Sequence, residues 1–368
     1  MELTTTRLGR TGIVTTVCGL GGIALGRPDV SDDEGTEIVR RAVDAGIGLI
    51  DTFCAYGRSE FRIGRALKGR RHKVTLVTKS RASFTTEEFI RQTEASMLML
   101  GVDVLDALLI KNVDNDPCLG NVGMHVETLR RLQSQGKVRF TGLSSHSPQH
   151  SMEAIRSGGI DLAEVPYNYA NLHFEPVLDL AAEMNVGILA MKPLGGGRLF
   201  PGTEKGAPET VETLVKALSF AMSHPANPVL IPGIGTLREL DRYFEAIPRL
   251  RRLTAAERKA MSDAATAFGD DFCRACGYCR QVCPSGIPID EILPLHDRGR
   301  FVRTDETNRQ VLKTQFQKLL PGVKPCQECR KCLEECPFKL PVPERLKEAF
   351  AFFADRKPAG PAKPAAGR

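Results

Sequence analysis

The stretch VTLVTKSRASFTTEEFIRQTEASMLMLGVDVLDALLI, residues 74–110, decides the fold because it places one helical segment between two short apolar runs. Residues 74–79 and 105–110 are rich in valine, leucine and isoleucine, as buried strands are. Residues 86–100 follow a threonine that can cap a helix. A strand, a helix and a second strand in this order predict a parallel pair joined by a helical crossover.

The same alternation continues on both sides and gives eight strand–helix units in about 235 residues. The predicted strands cover residues 17–24, 49–53, 74–79, 105–110, 140–144, 162–167, 186–191 and 229–234. The predicted helices begin at residue 31 and then cover residues 59–67, 86–100, 122–135, 148–157, 175–184, 209–222 and 236–246. Eight such units predict an α/β fold, a closed (β/α)8 TIM barrel, preceded by a short hairpin at residues 3–16. An open doubly wound sheet is the alternative, but residues 19–22 lack the third glycine and the following helix of a dinucleotide fingerprint.

The charge pattern excludes some classes of partner. The 368-residue chain has a formal net charge of +6, with lysine and arginine scattered rather than massed. This distribution indicates no nucleic-acid or membrane partner, although a mildly basic surface suits an acidic redox partner protein. Because the chain starts without a signal-peptide pattern and no apolar run approaches about 18 residues, we expect no membrane span and a cytoplasmic location. The sequence does not indicate an oligomeric state.

Two cysteine runs near the end of the chain carry the most specific chemical signal. The runs are Cys273, Cys276, Cys279 and Cys283, then Cys326, Cys329, Cys332 and Cys336, each followed directly by proline. Thiolates separated by two, two and three residues suit two [4Fe-4S] clusters, with the fourth cysteine of each run reaching the other cluster. A pair of zinc sites is the alternative. Zinc more often uses two Cys-x-x-Cys pairs or mixed cysteine and histidine ligands, and neither run contains histidine.

The organisation that these patterns predict is a large domain with an appended cluster-binding module. About 42 residues separate the two runs, and their amphipathic pattern, for example at residues 311–320, indicates a mainly helical ferredoxin-like domain. We therefore expect a barrel at residues 1–265 and a two-cluster domain at residues 266–350. Residues 351–368, rich in proline, glycine and alanine, are expected to be a disordered tail.

Polar residues at the predicted strand ends are the candidates for chemistry, because the active sites of such barrels lie at the carboxyl ends of the strands. Asp51, Lys79 and Lys111 lie at or directly after the ends of the second, third and fourth strands, and Tyr56 lies in the loop just after Asp51. A tyrosine hydroxyl is a weak acid, so donating a proton near neutral pH requires a nearby positive charge. Lys79 can supply that charge while Asp51 holds its ammonium in place. A carbonyl bound against Tyr56 would then accept a hydride on carbon and a proton on oxygen.

The segment from Asp51 to Gly57, DTFCAYG, resembles the Asp-Thr-x-x-x-Tyr-Gly motif of the aldo-keto reductases. Residues 8–12 (LGRTG), 78–79 (TK), 142–146 (GLSSH), 193–197 (PLGGG) and 231–233 (IPG) resemble further motifs of that family, in the family's order. The resemblance covers roughly residues 3–250. It implies a barrel that binds NADP or NAD in extended form, with Asp51, Tyr56 and Lys79 as catalytic residues. The whole chain is similar to a bacterial and archaeal subset with a C-terminal segment that binds two [4Fe-4S] clusters.

Lys111 stands where the family usually has histidine, and the resemblance makes it the fourth catalytic candidate. A second ammonium beside Tyr56 would favour tyrosinate, which weakens the residue as an acid and strengthens it as a base. Alternatively, Lys111 turns aside and Asn112 donates the hydrogen bond. A tolerated substitution without functional effect is the other reading.

The resemblance also implies a set of cofactor-binding residues. They are Gly21, Gly22, Asp51, Ser144, Ser145, Glu164, Met191, Lys192, Pro193, Leu194, Gly233, Ile234, Gly235, Thr236, Arg238 and Arg242. Glu164 stands where a glutamine often binds the carboxamide, and Met191 where an aromatic residue often stacks on the nicotinamide. Glu239 would repel a 2′-phosphate, whereas Arg238 or Arg242 would pair with one, so the choice between NADP and NAD stays open.

The leading hypothesis is a nicotinamide-dependent oxidoreductase acting on a small-molecule carbonyl or alcohol and fused to an iron–sulfur module. Hydride carries two electrons whereas each cluster takes one, so direct coupling needs a flavin or a tightly timed pair of transfers, unless a partner protein supplies that step. The clusters would otherwise be structural or sense oxidants. Two alternatives are a redox-linked regulatory or binding protein with a degenerate site, and a non-redox lyase that uses Tyr56 as base. The substrate is not legible from the sequence.

Overall fold

The protein is described by a computed structural model that covers residues 3–114, 116–195, 210–266, 272–273, 278–301, 306–336 and 338–354. The described residues divide into two compact units, on either side of the boundary between Ala267 and Phe268.

The first unit contains a two-stranded hairpin followed by an eight-stranded parallel sheet. The hairpin pairs β1 (Thr5–Arg7) with β2 (Val14–Thr16) in antiparallel register. The sheet strands are β3 (Leu20–Gly21), β4 (Leu49–Asp51), β5 (Thr75–Arg81), β6 (Leu105–Lys111), β7 (Val138–Ser144), β8 (Leu162–Pro166), β9 (Gly187–Met191) and β10 (Val229–Ile231). They are hydrogen-bonded in sequence order. The predicted hairpin and the predicted order of strands are both confirmed.

Hydrogen bonds between the first and last strands close the sheet into a barrel. The amides of Gly19 and Gly21 donate to the carbonyls of Leu230 and Pro232, each over 2.8 Å. The Leu230 amide donates in return to the Val17 carbonyl, also over 2.8 Å. The sheet therefore has no open edge, and the TIM-barrel prediction is confirmed over the doubly wound alternative.

Helices connect the strands on the outside of the barrel. They are α1 (Asp32–Asp44), α2 (Ser59–Leu67), α3 (Thr86–Leu100), α4 (Asp116–Gly120), α5 (Val122–Ser134), α6 (Pro148–Ser157), α7 (Glu175–Glu183), α8 (Val211–Met222), α9 (Leu237–Ala246) and α10 (Ala255–Thr266). Their starts follow local chemistry, since Ser31 accepts the Glu34 amide and Thr85 forms a capping box with Glu88. None of the helices described here is long and apolar enough to cross a membrane.

Two apolar layers fill the barrel. The larger lies between the strands and the surrounding helices, and the smaller fills the interior. The interior layer contains Leu8 from the hairpin together with side chains such as Leu49, Val77, Leu109 and Leu189. Because side chains alternate along a strand, the residues two positions further on, such as Asp51 and Lys79, also point inwards at the carboxyl end.

The second unit contains helices and no strands among its described residues. Its helices are α11 (Tyr278–Gln281), α12 (Ile289–Phe301), α13 (Glu306–Leu319), α14 (Lys331–Glu334) and α15 (Val342–Phe353). Buried Asp297 pairs with buried Arg345, and it also accepts the Cys273 amide over 2.7 Å. The predicted helical character agrees with this structure. Helix α15 continues to Phe353, three residues into the segment predicted as a disordered tail, because the apolar face of Val342–Phe353 packs into the core of this unit.

We expect one side chain of the hairpin, that of Leu8, to close the amino-terminal end of the barrel. Leu8 is fully buried, whereas Val14 in the same hairpin is 60% exposed. Leu8→Ala should therefore lower the free energy of unfolding by about 2–5 kcal/mol, the cost of an unfilled cavity. Urea unfolding followed by circular dichroism measures it, with Val14→Ala as the matched control. Equal losses in the two variants would contradict the assigned role.

Candidate active site

Three charged side chains from three strands form a buried ion cluster at the carboxyl end of the barrel. The Lys79 ammonium donates to the Asp51 carboxylate and, over 2.9 Å, to the Thr52 carbonyl. Its Nζ also lies 2.9 Å from Oε2 of Glu164, and Ser144 donates to Oε1 of Glu164 over 3.3 Å. Lys79 is completely buried, and Asp51 and Glu164 are only 3% and 1% exposed. The predicted Asp51–Lys79 pair is present, and Glu164 joins it as a second carboxylate.

The electrostatics of this cluster follow from one ammonium shared by two carboxylates. Burial alone would lower the pKa of Lys79, but Asp51, Glu164 and Tyr56 outweigh burial, and the net pKa is raised. Burial raises the pKa of Asp51 and the Glu164 carboxylate raises it further, while Lys79 opposes both. Lys79 therefore stays charged, and Asp51 takes up a proton more readily than an exposed aspartate does.

Tyr56 is held beside two ammonium groups. The Nζ atoms of Lys79 and Lys111 lie 5.6 Å and 5.9 Å from its ring centroid, and the Phe53 ring meets it edge-on at 5.5 Å. The tyrosine loop can adopt this path because Gly57 has φ +52° and lies directly against the backbone of Gly26. A Cβ atom on Gly57 would lie 2.2 Å from the Gly26 carbonyl oxygen, so the glycine after Tyr56 is required by space as well as by conformation.

Lys111 does not turn aside, and a second basic residue accompanies it. Lys111 is 9% exposed, with Nζ 5.3 Å from the Phe53 ring centroid. The Arg81 guanidinium carbon lies 5.5 Å from the same centroid. Arg81 was missed in the sequence because the predicted strand ended at residue 79, whereas β5 continues to Arg81. The signal was the spacing of Val77, Lys79 and Arg81, which places all three on one face of the strand.

The two serines at the end of β7 face different surroundings. Ser144 contacts Glu164 inside the barrel, whereas the Ser145 hydroxyl donates to the Val113 carbonyl over 2.7 Å and lies 2.9 Å from Asp114. Ser145 therefore holds the loop after β6 rather than facing the interior. This separation follows from the alternation of side chains along a strand.

Lys192 forms a second basic pair at the rim. It has φ +55°, and its Nζ lies 3.2 Å from Nε2 of His146. Burial lowers the pKa of His146 well below its usual value, and Lys192 and Lys111 lower it further, so the imidazole is neutral and accepts this hydrogen bond. The Asn168 side chain fixes the Lys192 backbone by donating to its carbonyl over 2.9 Å.

The remaining predicted cofactor residues near the barrel axis are mostly packed. Met191 is part of the interior apolar layer, Pro193 is buried and Leu194 packs against the outer layer. Gly22 donates its amide to the Asp51 carbonyl over 2.7 Å, and the Gly21 amide is used in barrel closure. Both glycines therefore lie at the site, but their amides are already occupied.

The predicted phosphate cradle at the start of α9 holds a carboxylate of the chain itself. Glu239 accepts the amides of Gly235 over 2.7 Å and Thr236 over 3.1 Å, and Thr236 accepts the Glu239 amide in return. This capping box occupies the donors that a phosphate would use. Ile234 is buried, Gly233 and Arg238 are exposed, and Arg242 is half-buried.

The predicted metal ligands lie in the second unit, except that Cys276 is outside the described residues. Cys273, Cys279, Cys332 and Cys336 are buried, Cys283 is half-buried, and Cys326 and Cys329 are exposed. Burial raises the pKa of Cys332 to about 11; a backbone hydrogen bond opposes this, and the neighbouring Cys326, Cys329 and Cys283 raise it further. Within the described ranges, no three histidine, cysteine or acidic side chains are arranged to hold one metal ion.

Comparison with known proteins agrees with the barrel fold. The model of the Aldo/keto reductase family matches residues 18–216. The chain is 23% identical over 298 residues to the uncharacterized oxidoreductase YqkF of Bacillus subtilis (strain 168), covering 69% of this chain and 94% of that protein. It is 26% identical over 227 residues to pyridoxine 4-dehydrogenase of Escherichia coli (strain K12), covering 57% and 79%. The solved thermostable aldo-keto reductase Tm1743 is 26% identical with a TM-score of 0.59, covering 71% of this chain and 99% of that one.

The family match spans more than half of the chain, so the chain belongs to the aldo/keto reductase family. It is an NAD(P)-dependent oxidoreductase of that type. The family match ends at residue 216 and does not reach the cysteine runs.

Removing the Lys79 ammonium should lower the stability of the folded protein. Lys79→Met leaves two buried carboxylates without their cation and should lower the free energy of unfolding by about 3–5 kcal/mol at pH 8. Burial and the Glu164 carboxylate raise the pKa of Asp51, and the variant loses the Lys79 charge that opposes them. The folded variant therefore binds more protons than the unfolded chain, and its stability recovers as pH falls toward about 5.

Urea unfolding of wild type and variant at the two pH values measures this. Lys73→Met is the matched control, because Lys73 pairs with Asp44 at the exposed surface and should change the midpoint little. A loss at pH 8 that does not shrink at pH 5 would show that the two carboxylates do not cause it.

Proposed function

We propose that the barrel transfers a hydride between a nicotinamide nucleotide and a small-molecule carbonyl or alcohol, with Tyr56 as the proton donor or acceptor. The observation that carries this proposal is the position of Tyr56, whose ring lies within 6 Å of two ammonium groups. One of these, Lys79, is itself anchored by Asp51 and Glu164. This arrangement supplies the positive charge that a tyrosine needs to exchange a proton near neutral pH.

Each residue around Tyr56 has a separate role in the proposed reaction. A nicotinamide nucleotide, when bound, supplies or takes the hydride. Tyr56 gives its hydroxyl proton to the carbonyl oxygen during reduction and recovers it during oxidation. Lys79 and Lys111 stabilise the charge left on the phenolic oxygen, and Asp51 and Glu164 keep Lys79 from moving toward it. Phe53 covers one side of the tyrosine ring and limits the access of water.

The nucleotide would bind along the rim from Ser144 and Glu164 to the start of α9, and we expect NAD to be preferred over NADP. Glu239 already occupies the amides of Gly235 and Thr236. A 2′-phosphate would have to displace this carboxylate, whereas a free ribose hydroxyl can donate a hydrogen bond to it. Arg238 and Arg242 lie on the same helix and would contact the remaining phosphates.

Tyr56→Phe should lower the rate of carbonyl reduction by about 10²- to 10⁴-fold, the usual contribution of a general acid. The substitution removes one hydroxyl and should leave nucleotide binding intact. Fluorescence titration with NADH and NADPH measures binding, and single-turnover oxidation of the bound nucleotide measures chemistry.

Tyr167→Phe is the matched control, because the Tyr167 hydroxyl bonds Glu175 and Arg258 in the helical layer. Failure to bind either nucleotide would overturn the proposed function. Turnover of a substrate without nucleotide oxidation would instead favour the lyase that uses Tyr56 as base.

We further propose that the segment at residues 266–350 binds two [4Fe-4S] clusters and that the barrel comprises residues 1–265. The donor chemistry fits, because the eight cysteines have cluster spacing and neither run contains histidine. The neighbours of Cys332 include Cys283 from the first run as well as Cys326 and Cys329 from its own. Such a set, three thiols from one run and the fourth from the other, is typical of two-cluster ferredoxins. A four-iron cube holds its sulfur ligands further apart than a single ion does, so these thiols need not converge on one point.

The clusters would carry single electrons, whereas the barrel handles pairs as hydride. We therefore expect a redox partner protein to supply or remove electrons one at a time, or a structural or oxidant-sensing role for the clusters. Bleaching of the visible cluster absorbance by added NADH would favour transfer between the two centres.

Paired substitutions test which cysteines share a cluster. After anaerobic reconstitution, Cys283→Ala and Cys332→Ala should each remove about half of the bound iron, and their combination should remove no more, because both act on one cluster. Cys283→Ala combined with Cys273→Ala should remove nearly all of it.

Iron, sulfide and zinc are measured per chain, and Cys118→Ala in the barrel is the control. Binding of zinc in place of iron and sulfide would overturn the cluster proposal. Pairing of Cys283 with Cys273 rather than with Cys332 would overturn the crossed ligand set.

A further inference from the structure

Two cations stand side by side at the mouth of the barrel. Arg81 is the last residue of β5 and Lys111 the last of β6, and the parallel register makes them direct neighbours. Both lie on the inward-facing side of their strands, two residues beyond Lys79 and Leu109. The Phe53 ring lies against both, at 5.5 Å from the Arg81 guanidinium and 5.3 Å from the Lys111 ammonium.

Neither cation has a carboxylate partner in the part of the chain that the structure describes, where no acidic oxygen lies within 4.0 Å of them. Lys79, two residues before Arg81 on the same strand, has two carboxylate partners, Asp51 and Glu164. Lys111 is only 9% exposed, and burying a charge without a counter-ion is costly. The face of an aromatic ring offsets only part of that cost. Asp51 and Glu164 are paired with Lys79, whereas Arg81 and Lys111 bring only positive charge to the Phe53 ring.

We propose that Arg81 and Lys111 bind an anionic group of the substrate, so that the protein acts on short carbonyl compounds that carry a carboxylate. This inference rests on the proposed function. Arg81 provides the planar fork that suits a carboxylate, and Lys111 adds a point charge. Lys111 faces both Tyr56 and Phe53 whereas Arg81 faces Phe53, which places the anion beside Phe53 while the carbonyl oxygen reaches Tyr56. In the reduction, the carbonyl carbon takes the hydride, the oxygen takes the Tyr56 proton, and the carboxylate is unchanged.

A matched pair of substrates tests the proposal. 4-Oxobutanoate and its methyl ester share the aldehyde and differ in charge, and each is assayed by nucleotide oxidation. Wild type should prefer the acid by about tenfold or more in kcat/KM, the expected effect of one charge-assisted hydrogen bond. Arg81→Gln should lower this ratio about tenfold or more. Arg7→Gln, the same change in charge in the hairpin β1, should leave the ratio as in wild type.

A binding measurement without turnover separates this proposal from the proposed function. Succinate carries carboxylates and no reducible carbonyl, and calorimetry measures its affinity for the full chain. Arg81→Gln and Lys111→Met should each weaken it about tenfold or more, and Arg7→Gln should not. Reduction of acid and ester with equal efficiency, unaffected by Arg81→Gln, would overturn the anion site and leave the reductase. Succinate binding that depends on Arg81, without reduction of either compound, would support the anion site and overturn the reductase.

Discussion

The shared ammonium of Lys79 is the interaction on which the catalytic end of the barrel depends. Asp51, Lys79 and Glu164 come from β4, β5 and β8, and each residue is at most 3% exposed. Each carboxylate is tolerated in the interior only because Lys79 lies within hydrogen-bond reach, and Lys79 is tolerated because it has both. The cluster therefore fixes where these strands end relative to one another. It also fixes the ammonium that faces Tyr56.

The sequence predicted those residues of the site whose positions each depend on the end of a single strand. Asp51 and Lys79 each follow an apolar run, and parallel strands of one barrel bring their carboxyl ends to the same rim. Arg81 obeys the same rule but was missed, because the boundary of its strand was placed two residues early. Strand ends are the least certain part of a sequence prediction. Here an error of two residues placed Arg81 in a loop, whereas its side chain lines the barrel.

Other features depend on competition between partners, which a sequence pattern does not resolve. The start of α9 has the glycine and helix of a phosphate cradle, yet Thr236 and Glu239 also have the spacing of a capping box. The capping box forms, because a tethered carboxylate three residues away needs no ligand to reach the same amides. Ser145 is a similar case, since its neighbour Ser144 takes the interior position and the Ser145 hydroxyl turns to Val113.

Lys111 and Glu164 are best understood together. The family resemblance puts neutral histidine and glutamine at these positions, so the two substitutions add one positive and one negative charge to the same rim. Their sum leaves the net charge of the site unchanged, but the charges are separated by the width of β7, which lies between β6 and β8. Lys79 forms an ion pair with Glu164, whereas Lys111 lies beside Arg81 against the Phe53 ring. On the Lys79 side of the mouth the charges are paired and their sum is negative. On the Phe53 side the charges are positive and lack a carboxylate partner among the described residues. The resulting electric field orients an anionic substrate before any contact with Tyr56 is made.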